Sequence, residues 1–404
     1  MVKRQSVLLS AIFVAVVLVI SVVVVRQFLT GPYPGHNDFM SRWEGARSFF
    51  VDGLNPYGEQ ASLNIQKAIY GGPARADQDP GYFAYPIYTA FLVWPLVYMS
   101  YDWASAIWMV ALAGCLIASL FLLFNLFNWK PSPLVMGFLF IWVLLFYYSA
   151  RGLILGQPGI VVYFLELLAI WALFKGHDGL AGVALAMSTI KPQMGFLIVP
   201  FLLLWAIRFR RRRFLVWFAA SIVVLLVASF LLEPSWVGDW LAQLRLYPSY
   251  TALGSPVWIV TSYYLGLGGW AEAVINVVLV FVMLATWWTA LQGRNERLFW
   301  SIVVTVTVTH LIAPRTATPH YIVFLIPIIF YFAVISYRNR KRGSLWVLLA
   351  MFCLLIIPWL QFLVTVQKQF EHPSVYLPLP LIIMVLLVFD RHRWWNASQV
   401  PVVQ

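Results

Sequence analysis

The sequence predicts an all-α polytopic membrane protein with about 12 transmembrane helices. Its 404 residues are 62% hydrophobic and only 10% charged, whereas a soluble globular domain has about 25% charged residues. The apolar residues form long runs, most of them close to the roughly 20 residues that a helix needs to cross a bilayer. The basic residues lie in short clusters between these runs, which is typical of cytoplasmic loops.

The first apolar run predicts an uncleaved transmembrane helix at Val7–Val25. A secretory signal peptide has an apolar core of about 7–15 residues followed by a small-residue cleavage site. Here the core is longer and ends in Val-Val-Val-Val-Arg, which offers no such site. Because Lys3 and Arg4 precede the run, we expect the N-terminus in the cytoplasm.

A long polar loop follows, and we expect it on the extracytoplasmic side at residues 26–101, with short interfacial helices. Within it, Tyr85–Met99 is apolar but short and contains Pro86 and Pro95. This segment therefore predicts an interfacial helix rather than a span. Counting it as a span would place the basic run Arg208–Arg213 outside the cell, against the positive-inside rule.

Eleven further spans complete the predicted topology. They lie at approximately residues 102–127, 133–150, 158–175, 179–192, 194–208, 213–232, 271–291, 298–313, 320–337, 344–362 and 376–389. Residues 390–404 then form a cytoplasmic tail. We expect the whole chain, 1–404, to be a single membrane-embedded domain of the cell (plasma) membrane.

The charge and cysteine content bear on the class of partner. A net charge of +12 is compatible with nucleic-acid binding. The dense basic clusters, however, lie where cytoplasmic loops are predicted, so we expect membrane lipids and no nucleic acid as partners. Cys115 and Cys353 both lie inside apolar runs, so no disulfide framework or zinc site is predicted, and no metal or cofactor is expected.

Polar side chains concentrate on the predicted outer side of the membrane. Six of the 15 acidic residues lie in the first loop: Asp38, Glu44, Asp52, Glu59, Asp77 and Asp79. Other outer segments carry Arg151, Gln157, Lys191, Arg315 and His320. Since the first loop and three further segments bring polar chemistry to one face, the sequence predicts a functional site there.

Several of these residues also have ordinary structural interpretations. Asn37 or Asp38 is suited to cap a helix that stops near Gly53. Lys191 follows only about a dozen mostly apolar residues, so its ammonium must reach the interface or pair with an anion. Glu166 lies well inside a predicted span, where it either pairs with a neighbouring helix or takes part in proton transfer.

The segment HNDFMSRWEGARSFFVDGLNPYG resembles the first loop of the family-87 glycosyltransferases, membrane enzymes of the GT-C superfamily. In that family an Asp after the first span precedes a short helix and a Gly-x-x-Pro-Tyr turn, here Gly53–Tyr57. Further similarity occurs in FAYPIYTAFLVWPL, in the stretch from GQPG to STIKPQMG, and in HLIAPRTATPHY. The resemblance covers most of residues 30–330, with departures at Ile87 and Ala313, where the family has Pro and Ser.

The resemblance implies a GT-C fold and an inverting transfer of a sugar, mannose, from a polyprenyl-phosphate donor to a lipid or glycan acceptor. It implies that Asp38 is the general base. The resemblance and the residue types together give the candidate contacts to the donor phosphate and the substrates: Lys191, Arg151, Arg315, His320, Gln157 and Tyr85. The lipid-linked donor is a co-substrate, and no obligate protein partner is expected.

Two other function classes compete with this hypothesis. A transporter or flippase for a lipid-linked substrate would carry polar residues and broken helices near the bilayer midplane, whereas this chain concentrates its charge at one surface, with Glu166 as the main exception. An assembly protein without chemistry would leave Lys191 and the acid-rich loop unexplained.

Overall fold

The computed structural model describes residues 2–33, 37–75, 78–250, 254–293, 295–314, 318–339, 341–367 and 371–391. The chain is 80% helical and has no strand among these residues. The predicted fold class, an all-α polytopic membrane protein, is therefore confirmed.

The described residues contain sixteen α-helices of nine or more residues. Their bounds are α1 Val2–Val25, α2 Asn37–Phe50, α3 Glu59–Tyr70, α4 Tyr101–Leu126, α5 Pro133–Leu145, α6 Tyr147–Leu155, α7 Gly159–Phe174, α8 Asp178–Met187, α9 Ile198–Arg208, α10 Arg212–Leu232, α11 Trp236–Tyr250, α12 Gly269–Leu291, α13 Asn295–Ile312, α14 Leu325–Arg338, α15 Gly343–Thr365 and α16 Pro378–Phe389. Shorter helical turns connect several of them, and those that matter for the site are given below.

Six helical segments of the described chain are long and apolar enough to cross a membrane individually. They are Leu9–Thr30, Tyr101–Leu126, Arg212–Leu232, Gly269–Leu291, Thr318–Arg338 and Gly343–Thr365. A seventh arises if α5 and α6, which meet at a 49° bend, count as one span. Five shorter apolar helices occupy the remaining predicted positions, so the total of 12 crossings stays a prediction.

Helix bounds differ from the predicted spans at three places. The first helix continues as a π-helical turn, Arg26–Thr30, beyond the expected end at Val25. The span expected at 133–150 is broken at Phe146, whose backbone leaves the helical conformation at φ −51°, ψ 127°. Helix α11 forms where no span was predicted. Its sequence is amphipathic rather than continuously apolar, so hydropathy does not reveal it.

The first loop contains only short helices. Helices α2 and α3 are followed by Thr89–Val93 and the 3₁₀ turn Trp94–Leu96, and none of these reaches the about 20 residues of a span. Gly53, the predicted stop of the first loop helix, has a φ of +67°, a conformation that favours glycine. Tyr85–Met99 thus lacks a helix long enough to cross a bilayer.

Contacts between Cα atoms divide the chain into two compact units. The first unit comprises residues 1–115, 153–158 and 227–251. The second comprises residues 116–152, 159–226 and 252–404. The single domain expected from the sequence stays a prediction.

In the first unit, α11 is hydrogen-bonded to the loop that follows α2. The Gln243 amide donates to the Tyr57 carbonyl at 3.0 Å, and the Asn55 amide donates to the Asp239 carboxylate at 2.8 Å. These bonds connect segments more than 180 residues apart in sequence. The unit is therefore held together by polar side chains as well as by its aromatic core.

In the second unit, the backbones of helices α8 and α10 come close to each other at Gly182. A Cβ atom placed on Gly182 would lie 2.8 Å from the backbone nitrogen of Phe218 and against the carbonyl oxygen of Phe214. Membrane helices use small residues at such contacts because lipid provides no hydrophobic drive for association, and close backbone packing must replace it. Gly182 therefore sets the distance between the two helices.

Replacing Gly182 with Ala should lower the thermal midpoint of the purified protein in detergent. The added methyl group meets backbone atoms that cannot rotate away, and such overpacking costs about 1–3 kcal/mol. Gly137, a helical glycine with no atom within 4 Å of its would-be Cβ, is the matched control. Gly137→Ala should leave the midpoint unchanged or raise it, since Ala is the better helix former; equal losses in both variants would contradict the packing argument.

Candidate functional site

Asp38 lies in the first turn of α2 in the first unit, with its side chain 32% exposed. Its Oδ2 accepts a hydrogen bond from the Gln157 amide at 2.5 Å. The guanidinium Nη1 of Arg42, one helical turn later, lies 3.6 Å from the Asp38 Oδ1. The carboxylate is thus oriented by a neutral donor and a nearby cation, yet it remains open to a ligand.

Arg42 links Asp38 to Tyr85. Its Nη1 donates to the backbone carbonyl of Asp38, and its Nη2 donates to the Tyr85 hydroxyl at 2.5 Å. The guanidinium also lies 4.3 Å from the centre of the Tyr85 ring, within cation–π distance. The Tyr57 hydroxyl fixes the other side of Tyr85 by donating to its carbonyl at 2.6 Å. Tyr85 is therefore held at both its ring and its backbone.

Trp108, in α4, contacts the chain neighbours of both Asp38 and Gln157. Its ring stacks on Phe39, the residue after Asp38, at 5.1 Å and 13°. Its indole N–H donates at 2.8 Å to the carbonyl of Gly156, the residue before Gln157. Because one side chain fixes the neighbours of both residues, the carboxylate and the amide keep their mutual position.

Glu44 lies on α2, six positions after Asp38, and is partly buried. Burial raises the pKa of Glu44 to about 7, with the nearby Asp52 adding to the rise and Arg47 opposing it. A carboxyl with a pKa near 7 changes its charge across the physiological pH range. Helix α2 therefore carries a proton-binding group one and a half turns beyond Asp38.

In the second unit, Lys191 is only 1% exposed. Helix α8 ends at Met187, the 3₁₀ turn Ser188–Ile190 follows, and the next helical turn begins at Pro192. Lys191 itself is extended, with φ −132° and ψ 82°, because a residue before proline is disfavoured in the α conformation. Lys191 is thus the cationic residue of a segment in which the helix is interrupted.

Lys191 and His320 both approach Gly159, the first residue of α7. A Cβ atom placed on Gly159 would lie 3.7 Å from the Lys191 Nζ and 3.5 Å from the His320 Cδ2. His320 is 5% exposed and lies in the 3₁₀ segment Thr318–Phe324. Two predicted contact residues of the second unit therefore come together, and a glycine provides the space that they share.

Glu166 lies two turns further along the same face of α7. It is 3% exposed, and its Oε1 has no hydrogen-bond partner among the described residues. This oxygen lies 3.6 Å from the would-be Cβ of Gly195, four residues after Lys191. The broken segment thus packs along α7, with Lys191 beside Gly159 and Gly195 beside Glu166.

Arg151 has a partner that the sequence did not reveal. Its Nε lies 2.7 Å from the Glu371 Oε1. Glu371 also accepts hydrogen bonds from the hydroxyls of Tyr147, at 2.9 Å, and Thr318, at 2.5 Å. The positive charge of Arg151 is therefore balanced within the second unit.

The predicted residues thus fall into separate groups. Asp38, Gln157 and Tyr85 contact one another directly or through Arg42 in the first unit, and Lys191 and His320 meet in the second. Arg315 lies outside the described residues. Among the described residues, no group of three or more His, Cys, Asp or Glu side chains is placed to hold a metal ion.

Sequence reasoning missed Arg42 and Glu371. Arg42 follows Asp38 by four positions, so the helical spacing of an acid and a base was available as a signal. Glu371 lies 220 residues from Arg151, in a proline-rich segment near the C-terminus. Only the folded chain brings that pair together.

Comparison with known proteins identifies the family of the chain. The family model described as glycosyltransferase family 87 matches residues 83–314. Tyr85, Arg151, Gln157 and Lys191 lie inside the matched range, whereas Asp38 and His320 lie outside it. Searches of curated proteins and of solved structures found no significant match.

The Arg151–Glu371 pair should stabilise the second unit measurably. Replacing Glu371 with Gln removes one charge, and a hydrogen bond to a charged group contributes about 1.5–3 kcal/mol. The thermal midpoint should fall in Glu371→Gln and in Arg151→Met, and the double variant should lose less than the sum of the two.

The Arg26–Asp102 pair is the control, since it has the same 2.7 Å separation but greater exposure, 37% and 26%. Arg26→Gln should cost less than about 1 kcal/mol. Additive losses in the Arg151–Glu371 double variant would show that the two side chains do not act as a pair.

Glu44 should make stability fall as the pH rises. The folded state holds the Glu44 proton up to a pH of about 7, whereas an exposed Glu loses it near pH 4.3. The folded state therefore binds more protons between these values, and stability decreases across this window as the pH increases.

The measurement is the thermal midpoint at pH 5 and at pH 8 in one detergent. Glu44→Gln should reduce the decrease seen in the wild type, because the amide does not ionise. Glu59→Gln, at an exposed position in the first turn of α3, should keep the wild-type trend. An unchanged trend in Glu44→Gln would exclude Glu44 as the titrating group.

Proposed function

Because the chain belongs to glycosyltransferase family 87, it is a membrane glycosyltransferase, and we propose that its donor is a polyprenyl-phosphate sugar. The sugar is mannose, the acceptor is a hydroxyl group of a lipid or glycan, and the transfer inverts the anomeric centre. The reaction takes place on the extracytoplasmic face of the cell membrane. Cells keep nucleotide sugars in the cytoplasm, so a lipid-linked donor is the form of activated sugar that reaches that face.

The observation that carries the proposal is the environment of Asp38. Its carboxylate is 32% exposed, is oriented by the Gln157 amide, and has Arg42 nearby. A general base must be within hydrogen-bond reach of the proton it takes and must be held in a fixed direction. Asp38 meets the second requirement through Gln157 and keeps a free side for an acceptor hydroxyl.

In the proposed reaction Asp38 takes the proton of the acceptor hydroxyl as its oxygen attacks the anomeric carbon. The bond between that carbon and the phosphate oxygen breaks on the opposite face of the sugar. The new glycosidic bond therefore has the inverted configuration, and polyprenyl phosphate leaves with the bonding electrons. Tyr85 and Gln157 act by positioning: Tyr85 holds Arg42, and Gln157 holds the carboxylate.

Lys191 and His320 are the proposed contacts to the donor. A buried ammonium group is costly in a membrane unless an anion accompanies it, and a phosphate that gains charge as it leaves is such an anion. His320, beside the same glycine, offers a ring nitrogen for a hydrogen bond. Arg151 is a weaker candidate because Glu371 already balances its charge, and Arg315 completes the proposed set.

A second candidate function is the movement of a lipid-linked substrate across the bilayer. The broken helix at Ser188–Gly195 and the buried Glu166 favour it, since transporters place unwound segments and ionisable groups within the membrane. This activity would produce no glycosidic bond. It is therefore distinguished from sugar transfer by the product.

Replacement of Asp38 with Asn should abolish transfer of radiolabelled sugar from a polyprenyl-phosphate donor. The amide cannot accept a proton, and loss of a general base lowers the rate by about 10²–10⁴-fold. The Asn side chain still offers an oxygen to Gln157, so the thermal midpoint should stay close to that of the wild type. Asp52→Asn, an exposed acid after α2, should keep full activity; full activity in Asp38→Asn would exclude Asp38 as the base.

The same assay separates the role of Lys191. Lys191→Gln should raise the KM for the donor more than the KM for the acceptor, because the proposed contact is with the donor phosphate. Translocation of the labelled lipid in vesicles without a labelled glycoside would favour the second candidate function instead.

A further inference from the structure

An open cleft of about 580 Å³ lies in the second unit, at the turn between α7 and α8. Its lining includes Trp171, His177, Asp178, Leu180 and, from the start of α10, Arg213. In the predicted topology this turn is cytoplasmic, because it is flanked by Lys175 and the basic run Arg208–Arg213. The proposed sugar transfer does not use this region.

The charge of the cleft is positive. Its one carboxylate, Asp178, is bound by Arg211, with 2.6 Å between Nη2 and Oδ1 and 3.1 Å between Nε and Oδ1. Arg211 makes a further bond to the carbonyl of Leu173 at 3.4 Å. The guanidinium of Arg213 is exposed and has no ion pair or hydrogen bond with any described residue. A positive charge is thus left available at the edge of the cleft.

Next to this charge the surface is apolar. Trp217 follows Arg213 by one helical turn and is 53% exposed, and Leu180 is 43% exposed. The Trp217 ring lies 3.0 Å from the would-be Cβ of Gly179, a residue of the cleft lining, so it lies beside the cleft. Beyond it α10 continues with exposed valines, Val223 and Val224. A cation, an indole and an aliphatic surface therefore follow one another along the helix.

Another part of the lining, at Trp171, is held in place by a hydrogen bond and a ring contact. The Trp171 indole N–H donates to Asn125 at 2.9 Å, and the His177 ring lies 5.7 Å from the Trp171 ring. A tryptophan anchored in this way has a fixed ring position, and tryptophan is enriched at the level of lipid headgroups. The cleft thus has a fixed wall, although one side is open.

We propose that this cleft binds one anionic phospholipid, with its phosphate against Arg213 and its acyl chains along Trp217 and the valines of α10. The order of cation, indole and aliphatic surface matches the order of phosphate, glycerol and acyl chain in a phospholipid. Basic pockets at the cytoplasmic ends of transmembrane helices bind such headgroups. Exposed arginines in the same run, Arg208, Arg210 and Arg212, strengthen the local positive potential.

The test compares lipid binding by the full-length protein and two neighbouring arginine variants. Protein purified in neutral detergent is titrated with phosphatidylglycerol or phosphatidylcholine, and bound lipid is counted by native mass spectrometry. The wild type should retain phosphatidylglycerol in preference to phosphatidylcholine. Arg213→Gln should weaken this binding about fivefold, since a basic residue near an anionic headgroup contributes about 1 kcal/mol.

Arg212→Gln is the matched control because Arg212 is also exposed but does not line the cleft. It should weaken binding twofold or less. Equal weakening by both variants would overturn the proposal in favour of a diffuse electrostatic attraction, and so would a wild type without preference for phosphatidylglycerol. Displacement of the lipid by millimolar inorganic phosphate would show that the cleft takes free phosphate rather than a phospholipid.

Discussion

A chain that crosses a bilayer must satisfy its backbone hydrogen bonds within itself, because hydrocarbon offers no partner. Long apolar helices are the result here, and every departure from a helix needs a local reason. Three of the described departures bear on the candidate site: the bend at Phe146, the turn at Gly156, and the broken segment Ser188–Gly195. Each is close in sequence to a candidate site residue. Gln157 and Lys191 lie at such interruptions, whereas Asp38 lies in the first turn of a regular helix.

The turn after α6 contributes several of these polar contacts. In the sequence Gly156-Gln157-Pro158-Gly159, Gly156 has a φ of +66°, and its carbonyl accepts a hydrogen bond from the Trp108 indole. The Gln157 amide donates a hydrogen bond to the Asp38 carboxylate in the first unit. Gly159 leaves the space beside Lys191 and His320 in the second. One short motif thus contributes to the candidate residues of each unit, and a side chain at Gly159 would meet both Lys191 and His320.

The sequence predicted the parts of the fold that depend on local composition. Hydropathy placed α4, α10, α12 and α15 within a few residues of their bounds, because a buried or lipid-facing helix must be apolar along its length. It failed at α11, which is amphipathic. It also failed at Phe146, where the apolar run continues through the bend and gives no composition signal.

The same limit applies to the site. Asp38 and Gln157 were both predicted as site residues, but their hydrogen bond joins positions 119 residues apart. Nothing in the local sequence identifies such a pairing. Arg42 could have been found from its helical spacing to Asp38, whereas Glu371 could not, since its partners Arg151, Tyr147 and Thr318 come from two distant segments.

The contrast between Asp38 and Glu371 supports the proposal that Asp38, rather than Glu371, acts as the general base. Glu371 is 13% exposed and meets a guanidinium at 2.7 Å and two hydroxyl groups, so its oxygens are occupied by structural bonds. Asp38 is 32% exposed, has one neutral amide donor, and lies 3.6 Å from its cation, whose Nη atoms donate to the Asp38 carbonyl and to Tyr85. A carboxylate that is already neutralised by a direct ion pair gains little by accepting a further proton. A carboxylate oriented mainly by an amide keeps an oxygen for an incoming hydroxyl, and that is the requirement for a base.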